Sequence, residues 1–288
     1  MIKSFELSKN TNLESIYCND RELKSLDVHK NTKLKDLRCY LSKLSTLDFK
    51  YNTELTNLSF AISSSTPIDL SSLTALTYLE YVVSSSTIDV RANKALTTLH
   101  VYSSRLTELD VSMNTELISL ECGYAQLTKL DLSKNTKLKE LICPQNKLTS
   151  LTVNSKLENI DCSRNHLPLS DLFVCSEMTP DIADSSLKRL GPQSLLPRTA
   201  AIGEELDFSD QSLFKDIQTQ FVVKTGGILY EDYFILEGAT VASPSDYSLI
   251  DGKIKFNRAG TYRVFMTNEA ITSFIINPAE VFVQITVH

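Results

Sequence analysis

Cysteine, aspartate, histidine and tyrosine are the residues of this 288-residue chain whose spacing invites chemistry. Cys18, Cys39, Cys122, Cys143 and Cys162 fall at one recurring position. A zinc site needs thiolates or imidazoles converging on a point, commonly from C-x-x-C pairs. No cysteine lies in such a pair, and the rows that carry them supply no adjacent histidine. The expectation is a buried stack, because free cysteine packs as a small hydrophobe. Disulfides are not expected, since neighbours in a parallel ladder point side by side and not at each other.

Aspartate recurs in the same way, as Asp27, Asp48, Asp69, Asp89, Asp110 and Asp131. Calcium wants several oxygens around one centre. One carboxylate per repeat, next to Ser and Asn-Thr, suits an acceptor of backbone N–H groups in a turn. The histidines are His29, His100, His166 and His288. Ser185-Ser186-Leu187-Lys188 matches S-x-x-K, but without its partner motifs. G-x-S-x-G, H-E-x-x-H and phosphate-loop patterns are missing. These residues point to a non-catalytic protein with no cofactor and no metal.

The elements that must position such residues follow from the period. Leu26-Asp27-Val28, Leu47-Asp48-Phe49, Ile68-Asp69-Leu70, Ile88-Asp89-Val90, Leu109-Asp110-Val111 and Leu130-Asp131-Leu132 are spaced by 21, 21, 20, 21 and 21 residues. A second series keeps step, from Leu13/Ile16/Cys18 to Leu157/Ile160/Cys162, and makes eight rows. Asn-Thr turns separate the series, as in Asn31-Thr32 and Asn114-Thr115. One such unit cannot bury its own apolar face, so stacked units must share a core. Each row places a short parallel strand about 4.8 Å from the next. The unit leaves little room for a helix, so turns are expected on the opposite, convex side. The pattern closely resembles the leucine-rich-repeat family in a 21-residue bacterial version. That resemblance implies a solenoid from about Phe5 to Leu167.

Three features depart from the repeat. Asparagine before the second leucine appears only as Asn146 and Asn165; Arg21, Ser42, Ser63, Ser84, Ser104 and Ala125 stand there elsewhere. Only part of an asparagine ladder is expected at this position. The third and fourth rows run Ser63-Ser64-Ser65-Thr66 and Ser84-Ser85-Ser86-Thr87. The core should be thin there, with Phe60 and Tyr81 filling the space. The serine hydroxyls either bond their own turns or line a ligand edge. Finally, Phe5-Glu6-Leu7 begins in mid-repeat, so Met1 opens either a fragment or a weak cap.

Strand positions that should face outward on the concave side hold Tyr17, Arg38, Tyr40, Tyr78, Glu80, His100, Tyr102, Glu121 and Tyr124. Tyrosine and arginine are common binding anchors. Tyrosine also favours strands for structural reasons alone. These nine residues form the candidate ligand-binding face.

Beyond Leu167 the pattern changes. Ser170 before an apolar run reads as a helix N-cap, so a capping helix should close a first domain spanning residues 1–178. Residues 179–194, with Pro180, Gly191 and Pro192, read as a linker. From 195 to 288 the period becomes two, with strands expected at Thr199–Phe208, Thr219–Lys224, Tyr230–Leu236, Lys253–Asn257, Gly260–Thr267 and Glu280–Val287. Such a run implies a β-sandwich, and this domain is expected to fold alone. The stretch Asp251–Val264 resembles the late strands of bacterial immunoglobulin-like domains, with their Ala-Gly-Thr-Tyr turn. The chain has no tryptophan, so the Cys…Trp…Cys signature of antibody domains is missing. The expected fold class is therefore mainly β: a leucine-rich-repeat solenoid with short parallel strands, plus a C-terminal immunoglobulin-like β-sandwich.

Apolar residues make up 42% of the chain and charged residues 22%, which excludes wholesale disorder. Residues 1–167 carry a net charge of +1 and residues 168–288 a net of −7. Neither half has the basic footprint of a nucleic-acid binder. No apolar run is long enough for a transmembrane segment. The start shows no signal-peptide core, so an exported protein would be represented here in mature form or with its signal removed by design. The two-part arrangement resembles surface or secreted leucine-rich-repeat proteins of gut anaerobic bacteria. In that family the solenoid presents a binding surface and the sandwich acts as a spacer or anchor-proximal module. The resemblance implies an extracellular or cell-surface binding or adhesion module for a protein or glycan ligand. A structural spacer or self-associating surface component is the alternative.

Overall fold

The structure, a computed structural model, describes residues 4–19, 22–40, 43–44, 46–62, 64–153, 157–177, 188–230, 235–273 and 279–288. The chain divides into two compact units: Met1–Lys147 with Thr152–Leu157, and Leu148–Leu151 with Glu158–His288.

The first unit is built on a parallel sheet with one strand per repeat. Its strands are β1 (Ser15–Cys18), β2 (Asp36–Tyr40), β3 (Asn57–Ala61), β4 (Tyr78–Val82), β5 (Thr98–Tyr102), β6 (Ser119–Glu121) and β7 (Glu140–Ile142). They lie side by side in chain order, in parallel register without shift. The sequence dictates this because every second strand residue is apolar. Leu37, Cys39, Leu58, Phe60, Leu79, Tyr81, Leu99, Val101, Leu120 and Cys122 are all buried on one side. The side chains between them make the other face.

The five repeat cysteines are buried and outside any disulfide, as their position implies, and Cys175 is buried on the helix Leu169–Glu177. The serine-rich rows are filled as expected. Phe60 lies between Phe49 and Tyr81, at ring distances of 6.2 Å and 5.2 Å. The Tyr81 hydroxyl accepts the Ile68 N–H at 3.2 Å. Ser64 and Ser85 donate to the carbonyls of Thr66 and Thr87, each at 2.8 Å, so these hydroxyls serve their own turns.

The turn side shows two further ladders. Asp27, Asp48, Asp69, Asp89, Asp110 and Asp131 each accept the backbone N–H two residues ahead, at 2.9–3.0 Å. Asparagine forms the second ladder, at the Asn-Thr turn and, in one row, at Asn93-Lys94. Asn52 Nδ2 donates to Val28 O and Asn31 O, and Asn31, Asn93, Asn114 and Asn135 repeat this one row apart. Both amide protons of each side chain thereby close the gap between successive turns. Leu73 replaces asparagine in one row, and there Ser72 Oγ donates to Phe49 O at 3.0 Å.

The second unit begins with β8 (Asn159–Asp161), followed by α1 (Leu169–Glu177). Residues Lys188–Arg189 form β9, parallel to β8. β10 (Gln193–Ala200) then leads into a five-stranded sheet with β12 (Gln220–Tyr230), β13 (Ile235–Val241), β16 (Gly260–Thr267) and β17 (Glu280–Val287). Its order is β10-β17-β16-β12-β13, with β10 parallel to β17 and the other pairs antiparallel. A three-stranded sheet holds β11 (Glu205–Asp207), β14 (Tyr247–Ile250) and β15 (Lys253–Phe256). Phe256 of the small sheet stacks on Tyr262 of the large one at 4.4 Å.

Several details differ from the sequence expectation. The stretch read as a linker contains β9 and the start of β10. Its residues bond to the last repeat: Cys162 N–H donates to Arg189 O, Arg164 N–H to Pro192 O and Ser194 N–H to Asn165 O. Gln193, fully buried, accepts the Asn165 N–H at 3.0 Å and donates to Cys162 O at 2.8 Å. The strand expected at Thr199–Phe208 is broken by a turn between β10 and β11, where Gly203 adopts a φ of +81°. The strand expected at Tyr230–Leu236 is instead the end of β12 and the start of β13, and residues 231–234 lie outside the described residues. β14 was not anticipated, because Tyr247-Ser248-Leu249-Ile250 is short and follows a polar turn. Ser185, Ser186 and Leu187 of the S-x-x-K match also lie outside the described residues.

Candidate functional site

The outward face of the first unit's sheet is a grid set by register. Its middle column runs Tyr17, Arg38, Ser59, Glu80, His100 and Glu121, each residue paired with the next. Column two places Asp36, Asn57, Tyr78, Thr98 and Ser119 on one side. On the other side stand Tyr40, Ala61, Val82 and Tyr102. Adjacent residues in a column are about 4.8 Å apart, so side chains from successive repeats touch.

Tyr40, Ser59 and Glu80 form one bonded group. The Tyr40 hydroxyl lies 2.6 Å from Ser59 Oγ and donates to Glu80 Oε2 at 2.9 Å, and Ser59 Oγ also donates to that oxygen. His100 stands between Tyr78 and Tyr102 in edge-on contact, with ring distances of 5.7 Å and 6.4 Å. The Tyr102 hydroxyl donates to Glu121. Burial first, then that bond and the carboxylate's charge, push the Tyr102 hydroxyl well above its ordinary pKa. Burial, followed by the charge of Glu80, raises Tyr78. Tyr40 is raised by burial too, with Ser59 opposing and Glu80 reinforcing. Ser119 donates to Glu140 at 2.7 Å on the next rows.

Six candidate residues thus converge: Tyr40, Tyr78, Glu80, His100, Tyr102 and Glu121. Arg38 sits in the same column, held by Asp36 through two contacts of 3.2 Å and 3.3 Å. Tyr17 is at the column's end and 69% exposed. Tyr124 is not on a strand, contrary to expectation. It follows the three-residue β6 in a turn, with a φ of +58° and 63% exposure. Ser59 and Asp36 were missed. Both could have been found by continuing the 21-residue count along the columns, since Ser59 is one row before Glu80 and Asp36 two rows before Tyr78.

An open cavity of about 800 Å³ lies on the turn side, lined by Ile68, Asp69, Asp89, Arg91 and Met113 among others. Its carboxylates are occupied: Asp69 by a backbone N–H and Asp89 by Arg91 at 2.7 Å. Those bonds draw the Asp89 carboxyl down to about 2. Among the described residues no cluster of three metal-ligating side chains occurs. Nor is any described helix long and apolar enough to cross a membrane.

The chain resembles three solved structures from Listeria monocytogenes. The functional domain of InlJ, a structure whose description names a cysteine ladder, aligns over 99% of this chain and 69% of its own, with a TM-score of 0.62 and 21% identity. The fold is that of an internalin leucine-rich-repeat solenoid. The internalin inlF aligns over 60% of this chain and 61% of its own (TM-score 0.45, 22% identity). The internalin-like protein lmo2027 aligns over 95% and 78% (TM-score 0.42, 13% identity). No protein-family profile and no curated protein matches the chain.

Proposed function

We propose that the chain is a non-catalytic binding or adhesion module, working outside the cell or on its surface, that engages a protein or glycan through the outward sheet face. The observation that carries this is the Tyr78–His100–Tyr102 line flanked by two tyrosine–carboxylate bonds. Aromatic side chains offer large contact area with few rotatable bonds. Here hydroxyl bonds and ring contacts already hold them in place, which lowers the ordering cost of binding. The solenoid likeness to InlJ supports the surface assignment, and the acidic balance of the face argues against nucleic acid. The C-terminal sheets would act as an immunoglobulin-like spacer in the same scheme. The spacer or self-associating alternative draws on exposed Ile228, Val241 and Ile250 in those sheets.

The test is a screen of the purified chain against extracellular glycans and matrix proteins, followed by Tyr78→Ala with Tyr102→Ala. Binding is expected to weaken by about 1–2 kcal/mol or more, the range for anchor residues. Unchanged affinity with an intact circular-dichroism spectrum would move the site off this face.

A further inference from the structure

Resting on the binding face proposed above, we infer that its partner is a protein segment that presents an arginine side chain to the Glu80–His100–Glu121 row. The argument begins with donors and acceptors. The hydroxyls of Tyr40 and Ser59 are spent on Glu80, and that of Tyr102 on Glu121. What the row then offers a ligand is chiefly carboxylate oxygen, which accepts and does not donate. A guanidinium is its complement, with five donors and no acceptor.

Charge points the same way. The face carries the carboxylates of Asp36, Glu80, Glu121 and Glu140 against the single guanidinium of Arg38. Arg38 is already held by Asp36. Among the described residues neither Glu80 nor Glu121 forms an ion pair within 4 Å. Elsewhere on this unit exposed glutamates do pair with lysines one repeat away, as Glu14 does with Lys35 and Glu116 with Lys137. The binding face therefore departs from the habit of the solenoid's flank.

The aromatic groups complete the fit. Glu80 and Glu121 are register partners of His100 on either side, so two strand spacings, roughly 9–10 Å, separate their backbones. Tyr78 and Tyr102 border the same interval through His100. A planar guanidinium can lie on a tyrosine ring while its N–H groups reach a carboxylate, which a compact ammonium does less well.

Two fluorescein-labelled peptides test this with the full chain: Gly-Arg-Gly-Arg-Gly and its citrulline counterpart, which keeps the shape and loses the charge. The arginine peptide is expected to bind about tenfold more tightly than the citrulline peptide by fluorescence anisotropy. Glu80→Gln with Glu121→Gln should remove about tenfold of that affinity, while Glu14→Gln with Glu116→Gln, an equal change of net charge, should cost less than about twofold. Glutamine keeps an acceptor for Tyr40 and Ser59, and Glu121→Gln alone serves if the double variant is unfolded. Equal losses in both double variants, no preference over citrulline, or no measurable binding of the arginine peptide would each overturn the inference. A ligand from the screen that tolerates Glu80→Gln with Glu121→Gln but is lost with Tyr78→Ala and Tyr102→Ala would overturn it too. That last result leaves the binding face itself standing, whereas a ligand indifferent to all four substitutions removes the face.

Discussion

Cys39 and Cys122 show what burial does to a reactive group. Each thiol is pushed up to about 12, by burial first and then by Cys18 or Glu121 respectively. The thiolate is the species that attacks, so these side chains are inert in the native protein. A thiol reagent at neutral pH is expected to find few reactive cysteines in the folded chain and all six after denaturation; six rapid reactions in native buffer would contradict the buried ladder. The same shift has a sign for stability. In the unfolded chain these thiols lose their protons near pH 9, while the folded chain keeps them to about 12. The stability they confer is whole below pH 9 and is lost as pH rises through that window. Cys122→Ala should flatten the decline in urea denaturation between those values. The cysteine positions were legible because an inward repeat position is a matter of counting. Tyr124 was not, because nothing in the count says that β6 stops after three residues and turns into a left-handed backbone position.

At the scale of the repeat, the asparagine ladder does the work that helices do in longer units. Each ladder side chain donates twice across adjacent turns, while its own Oδ1 has no donor among the described residues. Each of those carbonyls also accepts a backbone N–H within its own turn, Val90 O from Asn93 and Asn93 O from Leu96, so the asparagine fills the second acceptor site of both and ties one turn to the next. Asn114→Ala is therefore expected to destabilise the chain by about 1–3 kcal/mol in urea unfolding, and a change below about 0.5 kcal/mol would deny the ladder its role. The repeat itself, its strand spacing and its turn-side aspartates could all be read from the period. The ladder could not be assigned in advance, because attention falls on the asparagine before the second leucine, which is present only at Asn146 and Asn165. The Asn-Thr turn carries the missing bonds instead. Asn146 and Asn165 still serve locally, accepting the N–H groups of Leu127 and Leu148 at 3.0 Å each.

At the scale of the molecule, the second unit gathers the last repeat, the helix and both C-terminal sheets. Period-two patterning reveals the sheets but not what precedes them, since Gly191-Pro192 reads as loop while the flanking backbone bonds to the repeat. A fragment of residues 158–288 should therefore melt at a higher temperature than one of residues 195–288, which lacks Gln193 and β9; equal melting temperatures would show that the row from 188 to 194 adds nothing. One arrangement in this unit bears on the binding role proposed above. β10 and β17, the strands by which the chain enters and leaves the large sheet, run parallel from Gln193↔Val281 to Ala200↔Val287. Entry and exit thus lie at opposite ends of the pair. Tension between a tethered terminus and a gripped ligand would slide these strands lengthwise, loading their bonds together, whereas a hairpin pulled from its open end peels one bond at a time. The sheet is wired to resist traction.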